Sequence, residues 1–273
     1  MKFIDKIKNI QNRNNSLLCI GLDSDIEKIP TSLRKSKYPQ FEFNKEIIEA
    51  TKDLVCAYKL NLAFYEAAGK SYYETITRTL DYIPKNILTI ADGKRGDIGN
   101  TAEQYAKNLF DNLHFDAATV NPYMGKDSIE PFIKNDNHGV FILTLTSNPG
   151  SHDFQYLKAK QKPLYEHVAI KAVHWNTKDN IGLVVGATHS AELKRIRSIV
   201  PNMPILIPGI GAQSGDLKST VRYGSNKEGL LAIINVSRGI IYASSGNDFA
   251  AQARMTAAEY RDQINYYRDS FFK

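Results

Sequence analysis

Eight short apolar runs, rich in β-branched residues, recur along the chain at intervals that leave room for a helix and its two loops. They are Leu17 to Leu22, Leu54 to Lys59, Ile87 to Ala91, Asp116 to Val120, Gly139 to Thr144, Ile181 to Gly186, Pro204 to Ile207 and Leu231 to Val236. The runs are nearly continuous in apolar residues rather than alternating, the pattern of parallel strands covered on both faces. Helix-length segments separate them, among them Phe41 to Asp53, Thr101 to Leu113, Pro163 to Trp175 and His189 to Val200. Within Thr101 to Leu113, residues Ala102, Tyr105, Ala106, Leu109 and Leu113 keep the three-and-four spacing of one helical face. Strand followed by helix, repeated eight times in a chain of this length, predicts an α/β fold, a (β/α)8 TIM barrel, ahead of an open doubly wound sheet. No Pro/Ser-rich linker or break in composition divides the chain. Residues 1–273 therefore read as a single (β/α)8 barrel domain with an N-terminal helix and a C-terminal helix.

Composition narrows the function classes. The chain is 42% hydrophobic, yet no stretch approaches the roughly 20 consecutive apolar residues of a membrane span. The opening Met1-Lys2-Phe3-Ile4-Asp5-Lys6 lacks the apolar core of a signal peptide, so a cytoplasmic protein with no membrane partner is expected. The net charge is +6, but the lysines are spread along the chain and form no basic stripe. A nucleic-acid partner is not expected; positive potential that steers a small phosphate-bearing ligand to a cleft explains the excess more economically. Cys19 and Cys56 both lie within apolar runs, where cysteine behaves as a small buried hydrophobe rather than a disulfide or metal ligand.

In a barrel the residues that close the strands converge on one face, the face that carries chemistry. The first run closes with Asp23, the second with Lys59, and the third opens into Asp92-Gly93-Lys94-Arg95-Gly96-Asp97-Ile98-Gly99. Strand alternation sends Asp92 and Lys94 to the same side, while the glycines loosen the backbone. Crowding carboxylates and ammonium groups at the mouth of a buried strand costs desolvation, which marks these residues as candidates for chemistry. The fifth run ends in Thr144-Leu145-Thr146-Ser147-Asn148-Pro149-Gly150, whose hydroxyl and amide groups suit the edge of a polar ring and equally suit a turn. The last two runs lead into Gly209-Ile210-Gly211-Ala212-Gln213 and Ser237-Arg238-Gly239, where this fold usually cradles phosphate. Ser24 to Gln40 and Ser147 to Lys162 are long loops on the same face, placed to act as lids. Asn121-Pro122-Tyr123-Met124-Gly125 is assigned to packing and lid support, and no histidine pair has metal-ligand spacing.

Taken together, these motifs resemble the orotidine 5'-phosphate decarboxylase family, in its longer bacterial branch. The match rests on Asp92-x-Lys94-x-x-Asp97-Ile98 followed by Gly99-Asn100-Thr101-Ala102. It is flanked in family order by Lys59-Leu60-Asn61, Thr146-Ser147-Asn148-Pro149-Gly150, Pro208-Gly209-Ile210-Gly211-Ala212-Gln213 and Ser237-Arg238-Gly239. Gly93 departs from the small side chain more usual there. The resemblance implies decarboxylation of orotidine 5'-phosphate to uridine 5'-phosphate, with Lys59, Asp92, Lys94 and Asp97 as the charged network around the scissile carboxylate. It implies that Asp23 and Thr101 hold ribose hydroxyls, that Ser147 contacts the pyrimidine, and that Gln213, Arg238 and Gly239 hold the phosphate. It further implies a homodimer in which Asp97 and Thr101 cross to the partner's site, with no metal and no organic cofactor. The alternatives are a metal-dependent phosphosugar decarboxylase or aldolase that shares the Asp-x-Lys-x-x-Asp core, and a catalytically silent nucleotide-binding barrel.

Overall fold

The computed structural model describes residues 1–211 and 216–272. In chain order, helix α1 (Phe3–Arg13) precedes strand β1 (Leu18–Gly21), and α2 (Pro39–Thr51) leads to β2 (Ala57–Asn61). Helices α3 (Leu62–Glu66) and α4 (Tyr72–Tyr82) then carry the chain to β3 (Leu88–Arg95), and α5 (Gly99–Lys107) to β4 (Ala117–Val120) and β5 (Gly139–Leu145). A short helix α6 (Ser151–Phe154) and a hairpin of β6 (Lys158–Ala159) and β7 (Lys162–Pro163) follow. Next come α7 (Leu164–Trp175), β8 (Ile181–Val185), α8 (Ser190–Ile199), β9 (Ile205–Pro208), α9 (Leu217–Gly224) and β10 (Ala232–Val236). The chain closes with α10 (Arg238–Ile241) and the long α11 (Phe249–Phe272). Leaving aside the β6–β7 hairpin, the remaining strands pair in parallel around a closed barrel in the order β1-β10-β9-β8-β5-β4-β3-β2.

The continuous apolar runs form the strands because every position meets either the barrel interior or the helical layer. All residues of β1, β4, β8 and β10 are buried. Two runs differ from their strands by more than one residue. The second run starts early: Leu54 and Val55 are buried, but Leu54 still closes a turn on Thr51, and the ladder begins only where Cys56 N–H bonds the Leu18 carbonyl at 2.8 Å. The third strand runs on past Ala91 to Arg95, so the charged motif starts inside the sheet rather than after it. The strand-helix repeat also breaks once, since the described β4–β5 connection holds only a single 3-10 turn, Glu130–Ile133. Pro122, Gly125 and Pro131 interrupt that segment, and proline cannot supply the N–H that a helix interior requires. Past α5 the helical face continues through a π-helical turn, Asn108–Asn112, which keeps Leu109 and Phe110 buried.

Helix α1 seals the N-terminal end of the barrel. Phe3 lies edge-on to Phe141, with ring centroids 5.9 Å apart, over Gly139, where a Cβ would come within 2.2 Å of the Phe3 ring. Gln11 donates to the Ala232 carbonyl at 2.7 Å and accepts from Leu231 N–H at 2.9 Å, pinning the helix to the start of β10. Lys6 pairs with Asp116, whose other oxygen accepts from Thr89 N–H at 2.9 Å and from the Thr89 hydroxyl at 3.0 Å. Among the described residues no helix is long and apolar enough to cross a membrane.

Candidate active site

At the opposite, C-terminal end the strand ends enclose a cavity of about 400 Å³. Its wall brings together Asp23, Lys59, Asp92, Lys94, Ser147, Arg238 and Gly239, the candidates read from strand ends β1, β2, β3, β5 and β10. Lys59, 3% exposed on β2, sets its ammonium 3.3 Å from Asp23 Oδ1 and 3.1 Å from Asp92 Oδ2. Burial pulls Lys59 toward its neutral form, but the carboxylates of Asp23 and Asp92 more than offset it and raise its pKa above the ordinary lysine value. Burial likewise favours protonated Asp92, yet Lys59 and Lys94 hold that carboxyl well below the usual range. The Lys94 ammonium lies 2.8 Å from Asp92 Oδ1 while its side chain stays 45% exposed toward the cavity. Asp92 is therefore an anion gripped from two sides, and of its two cations only Lys94 has open space before it.

The backbone that delivers Lys94 is irregular. Pairing of β3 with β4 runs from Ala91 opposite Ala118 directly to Arg95 opposite Val120, so three β3 residues, Asp92 to Lys94, bulge opposite the single residue Thr119. Lys94 takes φ 43°, in the left-handed region that side chains with a Cβ rarely adopt. Its side chain faces Asp92 through this bulge rather than through simple strand alternation. A Cβ on Gly93 would point away from the cavity, 2.9 Å from Leu62 Cδ1. Arg95 anchors the far end of the bulge, pairing with Glu66 at 2.7 Å and lying over the Tyr105 ring of α5 at 5.1 Å.

The loop after β5 is fastened from behind. Gln155 accepts from Thr146 N–H at 2.8 Å and donates to the Thr146 hydroxyl at 2.8 Å. His189 Nε2 meets the Thr146 carbonyl at 3.0 Å, while Tyr156 Oη lies 3.2 Å from His189 Nδ1 and donates to Glu192 at 3.0 Å. These contacts seat Ser147 on the cavity wall and tie His189 to the loop behind it. Sequence reasoning also missed Thr119, Asn61 and Asn235, all on the wall. A signal existed for two of them: Thr119 and Asn235 are polar residues next to the last position of the fourth and eighth apolar runs.

Three candidates stand apart from this group. Asp97 and Thr101 do not line the cavity of their own chain; Asp97 accepts from Ile98 N–H at 2.8 Å, and Thr101 is exposed on α5. Gln213 lies outside the described residues. The Asn121–Gly125 segment does not pack as expected: its turn bonds, Tyr123 N–H to Asn121 Oδ1 and Gly125 N–H to the Pro122 carbonyl, turn Tyr123 outward to 84% exposure and Met124 to 41%. Ile98, 55% exposed, follows Gly96 and Asp97, and a Cβ on Gly96 would lie 3.2 Å from Asn121 Cβ and 3.5 Å from Met124 Cε.

Comparison with known proteins follows the same geometry. A family model described as Orotidine 5'-phosphate decarboxylase / HUMPS family matches residues 16–253. An orotidine 5'-phosphate decarboxylase of Dehalococcoides mccartyi is 54% identical over 275 residues, covering 99% of this chain and 100% of that protein. One from Ralstonia nicotianae is 46% identical over 273 residues, covering 98% and 100%. Among solved structures, Leishmania donovani OMP decarboxylase superimposes with a TM-score of 0.86 at 38% identity, over 98% of this chain and 99% of that one. A Toxoplasma gondii structure described as a putative orotidine-monophosphate-decarboxylase gives a TM-score of 0.90 at 35% identity, over 99% and 97%.

Proposed function

The chain belongs to the orotidine 5'-phosphate decarboxylase family, and from that membership we propose how the residues at its barrel mouth carry out the family's reaction. The reaction is conversion of orotidine 5'-phosphate to uridine 5'-phosphate and CO2, in pyrimidine biosynthesis. The family description also includes HUMPS, but the relatives at 54% and 46% identity across their full lengths carry the decarboxylase name alone. A metal-dependent phosphosugar reaction and a silent nucleotide-binding barrel are not favoured.

The observation that carries the mechanism is the ammonium of Lys94, 2.8 Å from an Asp92 carboxylate that Lys59 holds from the other side. Loss of CO2 leaves the C6–carboxyl electron pair in an in-plane orbital that the pyrimidine ring does not delocalise, so stabilisation has to be electrostatic. Lys94 faces the cavity and stabilises that pair. One Nζ–H bond then breaks as the C6–H bond forms, and solvent returns a proton to Nζ. Asp92 stays ionised because its two cations outweigh its burial, so the substrate carboxylate is placed against a fixed negative charge that it escapes on leaving. Arg238 and Gly239, together with Gln213, bind the phosphate, whose binding energy holds the like charges together. Asp23 takes a ribose hydroxyl and Ser147 the pyrimidine edge. No step calls on a metal or an organic cofactor, so turnover of orotidylate followed by its absorbance is expected to be the same with and without EDTA.

Asp97 and Thr101 complete the site of a second copy. They lie off the cavity of their own chain, on the loop and helix beside exposed Ile98, and exposed Tyr123 and Met124 follow the neighbouring strand; uncovered apolar side chains of this kind suit a subunit interface. Lys94→Ala and Asp97→Ala are each expected to keep less than about a tenth of wild-type turnover, a loss exceeding about 1.4 kcal/mol. Unfolded and refolded together, they form mixed dimers with one doubly damaged site and one intact site, so about one site in four is wild-type in makeup. Recovery toward that fraction supports the shared site. Mixed dimers without recovery place Asp97 in its own barrel.

A further inference from the structure

Thr119 is 1% exposed, one residue before the end of β4, and its one hydroxyl touches the Asp92 carboxylate and the backbone of Lys94. Oγ1 accepts from Lys94 N–H at 2.9 Å and donates to Asp92 Oδ1 at 2.9 Å. The direction of each bond is fixed, because a backbone N–H only donates and an ionised carboxylate only accepts. The hydroxyl's proton is thus committed to Asp92, and one of its lone pairs receives Lys94 N–H.

The position of Thr119 explains why a hydroxyl is needed there. Between the pairs Ala91–Ala118 and Arg95–Val120 the β3 strand advances four residues while β4 advances two. Thr119 alone faces the three bulged residues, and the N–H of Lys94 has lost the carbonyl that a regular ladder would offer it. Thr119 Oγ1 stands in for that carbonyl. The bulge otherwise rests on a left-handed Lys94 (φ 43°), a conformation that a side chain with a Cβ holds only when its surroundings impose it. Bulges beside active sites commonly re-aim a side chain, and here the re-aimed group is the Lys94 ammonium.

The same hydroxyl orients the anion. Asp92 Oδ1 receives Thr119 and Lys94, and Oδ2 receives Lys59, so each carboxylate oxygen has its assigned donor. We propose that Thr119 is a positioning residue for the decarboxylation: it fixes the bulge that presents Lys94 to C6 and locks the rotation of the Asp92 carboxylate beside it. The inference rests on the proposed role of Lys94. When the Lys94 proton moves to C6, Asp92 loses a charged neighbour, and the Thr119 hydrogen bond remains to hold the carboxylate in place.

Thr119→Val keeps the shape and the β-branch but removes the hydroxyl, whereas Thr119→Ser keeps the hydroxyl and removes the methyl. Thr119→Val is expected to lower kcat about 30-fold, equivalent to about 2 kcal/mol, with KM for orotidylate changed less than about threefold. Thr119→Ser is expected to retain kcat within about threefold of wild type although its melting temperature falls with the lost methyl. A role confined to packing predicts the reverse order, with Val tolerated and Ser impaired, and that result overturns the proposal. So does a loss carried by KM alone. Should Thr119→Val not fold, Thr119→Ser decides by itself, because a kcat lowered by tenfold or more with the hydroxyl present removes the basis of the inference. Lys94→Ala, measured in parallel, separates the two levels: an active Lys94→Ala defeats the mechanism, whereas an inactive Lys94→Ala beside a fully active Thr119→Val defeats only the role of Thr119.

Discussion

Each end of the barrel buries a cation, Lys59 at the mouth and Arg197 at the floor, deeper than the Lys6–Asp116 pair beside α1, and the two are satisfied differently. At the floor, the guanidinium of Arg197 donates to the carbonyls of Val200 at 2.8 Å and Met203 at 2.7 Å, and also to that of Gly224, where α8 and α9 return to the sheet. Burial pushes this arginine's pKa down, and the groups that receive its protons are neutral peptide dipoles. At the mouth, Lys59 is as well hidden, but its partners Asp23 and Asp92 are themselves charged, and Lys94 is added on the cavity side. Peptide carbonyls hold a cation without asking for anything in return. Crowded formal charges hold one another only in one geometry, and a substrate entering that geometry meets a strong, already oriented field. The floor cation serves the scaffold, and the mouth cations serve the reaction.

The largest expected effect separates the two ends by activity. Arg238 lies at the cavity rim, exposed, at the start of α10, so its truncation removes a charge-assisted phosphate contact without opening the core. Arg238→Ala is expected to lower kcat/KM for orotidylate by roughly 100-fold or more, about 3 kcal/mol, with its melting temperature unchanged. The slow reaction of the nucleoside lacking the phosphate should hardly change. Equal damage to both substrates moves Arg238 from phosphate binding to scaffold and erases the distinction at the mouth. Arg197→Met tests the other end: it takes the guanidinium from the Met203 and Gly224 carbonyls, and from a Val200 carbonyl that keeps only the Met203 N–H at 3.3 Å, and chemical denaturation is expected to show a loss of about 2 to 4 kcal/mol. kcat and KM of the folded variant should match wild type. A stable but inactive Arg197→Met places the floor in the reaction path.

This contrast marks how far the sequence could be read. The strands announced themselves because all-round burial leaves a local trace, an unbroken apolar run, and the order of runs is enough to close a parallel barrel. Asp23, Lys59, Asp92, Lys94, Ser147, Arg238 and Gly239 were legible for the same reason: each follows or ends a run, and the fold gathers run ends at one mouth. Thr119 was not legible in its role, because its two bonds cross from β4 to β3 and depend on a register shift that no local pattern records. The β4–β5 connection was misread as helical from its length, though its prolines and glycine carried the contrary signal. Arg197 and Gln11 illustrate a second limit. Their partners are backbone carbonyls and N–H groups, which every residue possesses, so nothing in the letters around them identifies what they hold.

The smallest expected effect is a change in the slope of stability with pH, and it distinguishes the two kinds of buried charge directly. Asp92 is held below the usual carboxylate range in the folded chain by Lys59 and Lys94 against its burial, so the folded chain takes up its proton at lower pH than the unfolded chain does. Its contribution is therefore fully present above the unfolded value of about 3.9 and is lost as pH falls toward the folded value. In that acid window the unfolded state binds up to one more proton at this site, which adds at most about 1.4 kcal/mol per pH unit to the rise of stability with pH. Asp92→Asn removes the titrating group, so its stability curve between about pH 2 and 4 is expected to be shallower than wild type by up to that amount. Arg197→Met removes a group that keeps its proton in both states throughout this window, so it should lower the whole curve and leave the slope as it was. Denaturant titrations of the three proteins across the window measure both quantities. A wild-type slope in Asp92→Asn means that the mouth carboxylate is not held below its unfolded value, and the opposition of charged partners at the mouth to dipolar partners at the floor then fails.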